Sequence, residues 1–168
     1  MAEVVGKIKR QFMAHYIDAA MPGEPAEYER LGKDLEEYKV DMNANVDTKN
    51  NIWGETSVIL DSYQPQVSVE PYYAEVGSPL FERLQDIIDK RLTLDELKTS
   101  VVEVHTWESK VAGKYTAYKE DAIIEVSSYG GDTTGYQIPF NLHHTGNRKK
   151  GTFDPATKTF TPDSGTEE

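Results

Sequence analysis

Apolar and polar positions alternate most clearly in the C-terminal third of the chain. Within residues 136–143 every second position is apolar, namely Tyr136, Ile138, Phe140 and Leu142. Side chains two residues apart share one face of a strand, so this segment is predicted to be a strand with one buried face. Pro139 has no amide hydrogen to give to a ladder and is best tolerated at an edge. We therefore expect the sheet to end at this strand or to continue in another molecule.

A second alternating segment lies in the first half of the chain, where apolar residues occupy every other position from Tyr38 to Val46. This pattern predicts a strand. Turn-forming residues follow at positions 48–51 and an apolar run begins at Val58, so a long hairpin or extended loop is expected there. Val67 and Val69 alternate with polar residues, which predicts a further strand with one solvated face.

One helix is predicted after residue 77. Ser78 can accept hydrogen bonds from the free amides of a helix start, and Pro79 suits the first helical position. Apolar residues then recur at three- and four-residue spacing, at Leu80, Leu84, Ile87 and Ile88. One stripe of the helix is therefore expected to face a core. The stripe ends near Leu92, and Thr93 with Glu96 has the spacing of a capping box.

Strands return after the helix. They are predicted at about residues 101–107, 114–118, 123–129 and 136–144, with a small hairpin between residues 151 and 160. The run Gly130-Gly131-Asp132 predicts a hairpin turn. Several strands and one helix indicate a mainly β fold with one α-helix, an antiparallel β sandwich or barrel with the helix at its flank. We expect a single domain over residues 1–168, with residues 1–14 as a short amphipathic helix or a mobile leader and residues 163–168 as an acidic tail.

The chain is acidic, because 18 Lys and Arg residues stand against 29 Asp and Glu residues and give a formal net charge of −11. Affinity for duplex DNA depends on basic side chains that neutralise phosphates, so this balance argues against a duplex-binding protein. Solubility alone is the alternative explanation of the acidity. The absence of cysteine excludes disulfides, thiolate metal sites and a cysteine nucleophile. No apolar run reaches the length of a membrane span, and no membrane binding is expected.

No catalytic constellation is found in the sequence. It has no Gly-x-Ser-x-Gly elbow and no glycine cluster with the spacing of a phosphate loop. His143 and His144 are neighbours that point to opposite faces of a strand, so they do not share one metal ion. His105 with His143 is the open alternative, as a metal centre in a small β-barrel enzyme. The preferred prediction is a protein that is not an enzyme and holds no metal or cofactor.

Arg148-Lys149-Lys150 is a basic run in this acidic chain. It is predicted to be a turn whose charges pair with acidic residues, and in an acidic homo-oligomer those residues lie on the adjoining subunit. Reversing the three charges is expected to weaken assembly in a salt-dependent way and to leave the monomer fold intact. Trp53 lies beside turn residues and is predicted to be a more exposed anchor than Trp107.

Two sequence segments and the order of the elements carry a resemblance to a known family. The segments are Ile138-Pro139-Phe140-Asn141-Leu142-His143 and the stretch from Gly146 to Asp154, and the order is strand, long loop, strand, helix, strands from Tyr38 onward. Together they resemble the tail tube proteins of long-tailed bacteriophages. The resemblance implies hexameric rings that stack into a hollow tube with an acidic lumen, through which DNA passes without specific binding. It also implies a place in the virion tail after assembly in the host cytoplasm, and contacts with the tape measure and tail terminator proteins.

The long loop of that family reaches the next ring, and the matching stretch here is Asn43 to Thr56. Together with the basic run, this predicts an oligomer interface formed by Asn43, Asn45, Asp47, Asn50, Trp53, Glu55, Arg148, Lys149 and Lys150. The alternative is a carbohydrate-binding β sandwich that uses Trp53, Trp107 and the tyrosines, Tyr72 and Tyr73 among them.

Overall fold

The computed structural model describes residues 5–164, except for the side chains of residues 109–111. Eleven strands and one α-helix make up the regular structure of this part of the chain. The strands are β1 (Met13–Asp18), β2 (Tyr28–Leu31), β3 (Ala44–Asn50), β4 (Thr56–Tyr63), β5 (Gln66–Val69), β6 (Lys98–Val111), β7 (Lys114–Val126), β8 (Gly130–Asp132), β9 (Gly135–Gln137), β10 (Phe140–Asp154) and β11 (Thr159–Pro162). The helix is α1 (Pro79–Lys90), and short 3₁₀ turns lie at Arg10–Phe12 and Leu94–Leu97.

Seven of these strands form one antiparallel sheet that curls into a half-barrel. Its order is β11-β10-β7-β6-β1-β2, and β5 pairs with the beginning of β10. The predicted class, a mainly β sandwich or barrel with one flanking helix, is confirmed. The predicted leader and tail lie partly outside the described residues, although β1 already begins within residues 1–14.

The helix begins where its sequence predicts, and a carboxylate from β2 adds to its N-terminal cap. Ser78 Oγ accepts a hydrogen bond from the Phe81 amide at 3.4 Å, and Pro79 is the first helical residue. Glu29 of β2 accepts hydrogen bonds from Ser78 Oγ at 2.7 Å and from the Leu80 amide at 2.9 Å, so a carboxylate lies at the positive end of the helix dipole. The predicted apolar stripe is buried and packs against β5, β7 and β10 in the main core, which includes Val67, Ile124, Phe140 and Leu142.

β10 is an inner strand, so the prediction that the sheet ends there is wrong. Phe140 to His143 pair with β7 on one side and with β5 on the other. Pro139 precedes the first ladder residue, where its missing amide hydrogen breaks no ladder bond, and its carbonyl accepts from the Ser127 amide at 3.0 Å. The predicted burial of Ile138, Phe140 and Leu142 is confirmed.

Other predicted boundaries shift. The strand expected from Tyr38 begins only at Ala44, and Tyr38 is buried from a loop instead. Residues 130–132 form β8 rather than a turn, and β7 and β10 are each continuous where two strands were expected. The basic run belongs to β10 rather than to a turn, because two register shifts between His144 and Lys149 absorb its extra residues within the strand.

On the opposite face of the sheet lies a smaller core. It contains Tyr16, Tyr28, Val102, Val104 and Phe153, with Phe160 of β11 packed against it. The rings of Tyr16 and Phe153 lie 4.5 Å apart between centroids. In the described part of the chain, no helix is long and apolar enough to cross a membrane.

Candidate assembly arm and charged cluster

β3 and β4 form a separate two-stranded sheet, which we call the arm. The two strands pair with each other over their length and with no other named strand of the described chain. Every residue of both strands is exposed. A two-stranded hairpin is marginally stable in water unless it packs against something else. Within the described chain, the arm therefore has no other strand of the fold to stabilise it.

The arm has two chemically different faces. Residues opposite each other in the ladder share a face, and Val46 lies opposite Leu60 while Thr48 lies opposite Val58. The apolar face of the arm carries Val46, Val58, Leu60 and Tyr63, together with Ala44, Thr48, Asn50 and Thr56. The other face carries Asn45, Asp47, Lys49, Ser57 and Ser62, with Ile59 as its apolar member. Such alternation is typical of a sheet with one buried face, although here both faces are exposed.

The turn of the arm is fixed by its own hydrogen bonds. Asn51 Oδ1 accepts from the amides of Trp53 and Glu55, each at 2.9 Å, and the Gly54 amide donates to the Asn51 carbonyl at 3.1 Å. Ile52 and Trp53 are 98% and 80% exposed. The predicted exposure of Trp53 is thus confirmed. Trp107, by contrast, is half-buried and stacks on the ring of His105 at 4.4 Å.

Most of the polar residues predicted for the arm interface stabilise the hairpin itself. Asn43 Nδ2 donates to the Gln64 carbonyl at 3.0 Å, Asn50 Oδ1 accepts from Thr56 Oγ1 at 2.8 Å, and Glu55 accepts from Asn51. Asn45 and Asp47 lie on the polar face. The sequence interpretation missed Val46, Val58 and Leu60 as interface candidates. The signal that could have found them is the apolar run at residues 58–60 opposite an alternating strand.

Arg148 lies against carboxylates of its own chain. Its guanidinium nitrogens are 3.2 Å from Glu103 Oε2 and 3.4 Å from Glu120 Oε2, and the group sits 4.5 Å above the ring of Tyr118. Burial alone would raise the pKa of Glu103, but hydrogen bonds from His105 and Arg148 together bring it below its ordinary value. Lys149 and Lys150 are exposed on the same strand. Arg148 therefore has acidic partners within its own chain, whereas the two lysines stay candidates for contact between copies.

Because Arg148 differs from the two lysines in this way, the predicted charge reversal is tested in two separate variants. We expect Arg148→Glu to lower the free energy of unfolding by about 1–2 kcal/mol, because it places a third carboxylate beside Glu103 and Glu120. The double variant Lys149→Glu with Lys150→Glu should change it by less than about 0.5 kcal/mol. Urea unfolding of the monomer measures both. Equal losses in the two variants would show that the Arg148 contacts do not stabilise the fold.

The two histidines considered as metal ligands bind different carboxylates. His105 Nε2 lies 3.1 Å from Glu103 Oε1, and His143 Nε2 lies 2.5 Å from Glu125 Oε2. Among the described residues, no group of three His, Asp or Glu side chains is arranged to hold a metal ion.

The fold and the arm together define a mainly β protein with a half-barrel sheet, one packed helix and a projecting two-stranded arm. No protein-family model matches the chain, and no curated protein matches it either.

Proposed function

We propose that this protein is a structural subunit that assembles with copies of itself into stacked, hexameric rings of a phage-type tail tube. The observation that carries the proposal is the arm, in which Val46, Val58 and Leu60 are all about half exposed or more. Burying apolar area is the main favourable contribution to association. An arm of this kind at the position of the family's ring-contacting loop supports the resemblance noted from the sequence.

The charge of the chain suits a conduit for DNA. Each copy carries a formal net charge of −11, and a ring multiplies this charge around its axis. A surface with an acidic excess does not gain the counterion release that holds proteins on DNA. The proposed lumen therefore lets the genome slide without specific binding, and the remaining expected partners are the tape measure and tail terminator proteins of the virion tail.

The sheet offers edges for contact within a ring. β2 ends the seven-stranded sheet on one side and β11 on the other, and both are only four residues long. Unpaired amides and carbonyls on edge strands are templates for pairing with another chain. These edges replace the one that Pro139 had suggested. The carbohydrate-binding alternative is less favoured, because one ring face of Trp107 is already covered by His105.

Negative-stain electron microscopy of the purified chain over a range of concentrations tests the proposal. Rings or tubes are expected as concentration rises, with a matching increase in sedimentation coefficient. A species that stays monomeric at high concentration, in low and high salt, would contradict self-assembly. Titration with a glycan panel, read by tryptophan fluorescence, tests the alternative on the same preparation.

A further inference from the structure

A large cavity opens at the base of the arm. Its volume is about 850 Å³, and its apolar rim includes Met42, Tyr63 and Pro65. Tyr63 also belongs to the apolar face of the arm, so that face continues into the cavity. Met42 and Tyr63 are both about half exposed. The rim is therefore apolar surface without a covering element in the described chain.

The floor of the cavity holds buried polar atoms without partners. His15 Nε2, Tyr38 Oη and His144 Nε2 make no hydrogen bond with any described residue, although all three side chains are more than nine-tenths buried. His144 Nδ1 lies 2.9 Å from Glu120 Oε2, so its Nδ1–H donates to that carboxylate. Leaving a buried polar group unpaired costs free energy, which an incoming hydrogen-bond donor would recover.

The charge state of the floor favours an uncharged donor. Burial lowers the pKa of His15 to about 4, so its ring is neutral near pH 7. Burial also raises the pKa of Tyr38, so its hydroxyl keeps its proton. Glu103 and Glu120 beside the cavity are already paired with Arg148. A group that fits this cavity has an apolar body, which packs against the rim, and one neutral N–H or O–H.

The exposed turn of the arm has this chemistry. Trp53 presents a large apolar ring whose indole nitrogen is a hydrogen-bond donor only. The turn is held rigid by Asn51, so little conformational entropy is lost when it docks. We propose that the Trp53 side chain of a second copy enters the cavity at the base of the arm and donates its indole N–H to an unpaired acceptor on the floor. This inference rests on the proposed self-assembly and names the surface that receives the arm.

The position of the two surfaces determines how copies connect. The turn and the cavity lie at opposite ends of the arm, separated by strands of seven and eight residues that span roughly 23 Å. One copy can therefore receive an arm at its cavity while its own arm docks on another copy. Such a head-to-tail contact repeats from copy to copy, as stacking of rings requires.

Cysteine cross-linking tests the contact directly, because the natural chain has no cysteine. Protein with Ile52→Cys is mixed under mild oxidation with protein carrying Met42→Cys, and the mixed disulfide is measured by mass spectrometry. The matched control replaces Met42→Cys by Thr157→Cys, at an exposed residue of the β10–β11 turn. We expect at least about tenfold more mixed disulfide with Met42→Cys than with the control. Equal yields from a mixture that forms tubes would overturn the docking inference while leaving the proposed function intact.

A complementation experiment gives a second, independent measure. Trp53→Ala is expected to weaken assembly about thirtyfold, and Trp53→Phe, which keeps a ring but lacks the N–H, less than that. Met42→Arg blocks the rim, with Met42→Leu as its matched control. At a concentration just above that at which the natural chain assembles, each blocked variant alone should stay unassembled. Trp53→Ala mixed with Met42→Arg should form complexes there, because one supplies an intact cavity and the other an intact arm. A mixture without complexes, or a Trp53→Ala protein that assembles as the natural chain does, would refute the contact.

Discussion

Excising the outer part of the arm is expected to abolish assembly and to leave the body of the protein folded. Asn45 and Ser62 are paired across the arm, so residues 46–61 can be replaced by a two-residue Asn-Gly turn that closes the shortened hairpin. The removed residues are exposed and belong to neither hydrophobic core. Electron microscopy and sedimentation should therefore find monomers at concentrations at which the natural chain is proposed to form rings. Urea unfolding should find a free energy of unfolding within about 1 kcal/mol of the natural value.

A matched pair of milder variants separates the two faces of the arm. Val46→Thr, Val58→Thr and Leu60→Thr together remove the apolar face but keep residues that favour strands. Ser57→Thr with Ser62→Thr introduces the same residue type on the polar face and removes no apolar side chain from the arm. The first variant should fail to assemble and the second should assemble normally. If the excised protein still formed tubes, the arm would have no role in stacking and the central argument for the proposed function would be lost.

Acid is expected to destabilise the folded protein through His15 in a defined pH range. The folded pKa of His15, about 4, lies below its ordinary value of 6.5, because burial outweighs the opposing charge of Glu103. The unfolded chain therefore binds the proton first as pH falls. The stability that the neutral His15 ring contributes is complete above pH 6.5, decreases between pH 6.5 and about 4, and shows no further loss below that. The shift corresponds to a loss of about 3 kcal/mol across this interval.

Urea unfolding at half-unit steps from pH 7.5 to pH 4 measures this slope. His15→Gln should remove most of it between pH 6.5 and 5, whereas His143→Gln, at a more exposed histidine, serves as the control. Glu103 and Glu125 have lowered pKa values, so their contributions are lost only at more acidic pH and do not mimic the effect. If the dependence of stability on pH were unchanged in His15→Gln, the His15 ring would take up its proton as readily in the folded protein as in the unfolded chain.

Local signals in the sequence were sufficient for the helix and for the buried face of β10. Ser78, Pro79 and the apolar stripe act over one or two helical turns, and capping and periodicity are read within that distance. The inner position of β10 could not be read in this way, because it depends on which distant strands flank Phe140. Pro139 suggested an edge strand because the sequence does not show that this residue lies just outside the ladder, which begins at Phe140.

The candidate site was only partly predictable for a related reason. The exposed turn at Trp53 follows from turn residues that are close in sequence. The cavity floor brings together His15, Tyr38 and His144, which come from three separate parts of the chain. Only the curl of the sheet places them side by side. Arg148 was noticed for its charge, yet its partners Glu103 and Glu120 are 45 and 28 residues away, so its role within one chain was not visible.

The connection between the arm and the sheet determines how the protein would bear mechanical tension. β4 ends at Tyr63 and β5 begins at Gln66, so a pull on the arm passes almost directly into β5. β5 is bound to β10 by an antiparallel ladder from Val69–Phe140 to Gln66–His143. β10 then continues into the second core through Phe153. A force along the arm is therefore shared among several ladder bonds and both cores, as the proposed assembly would require.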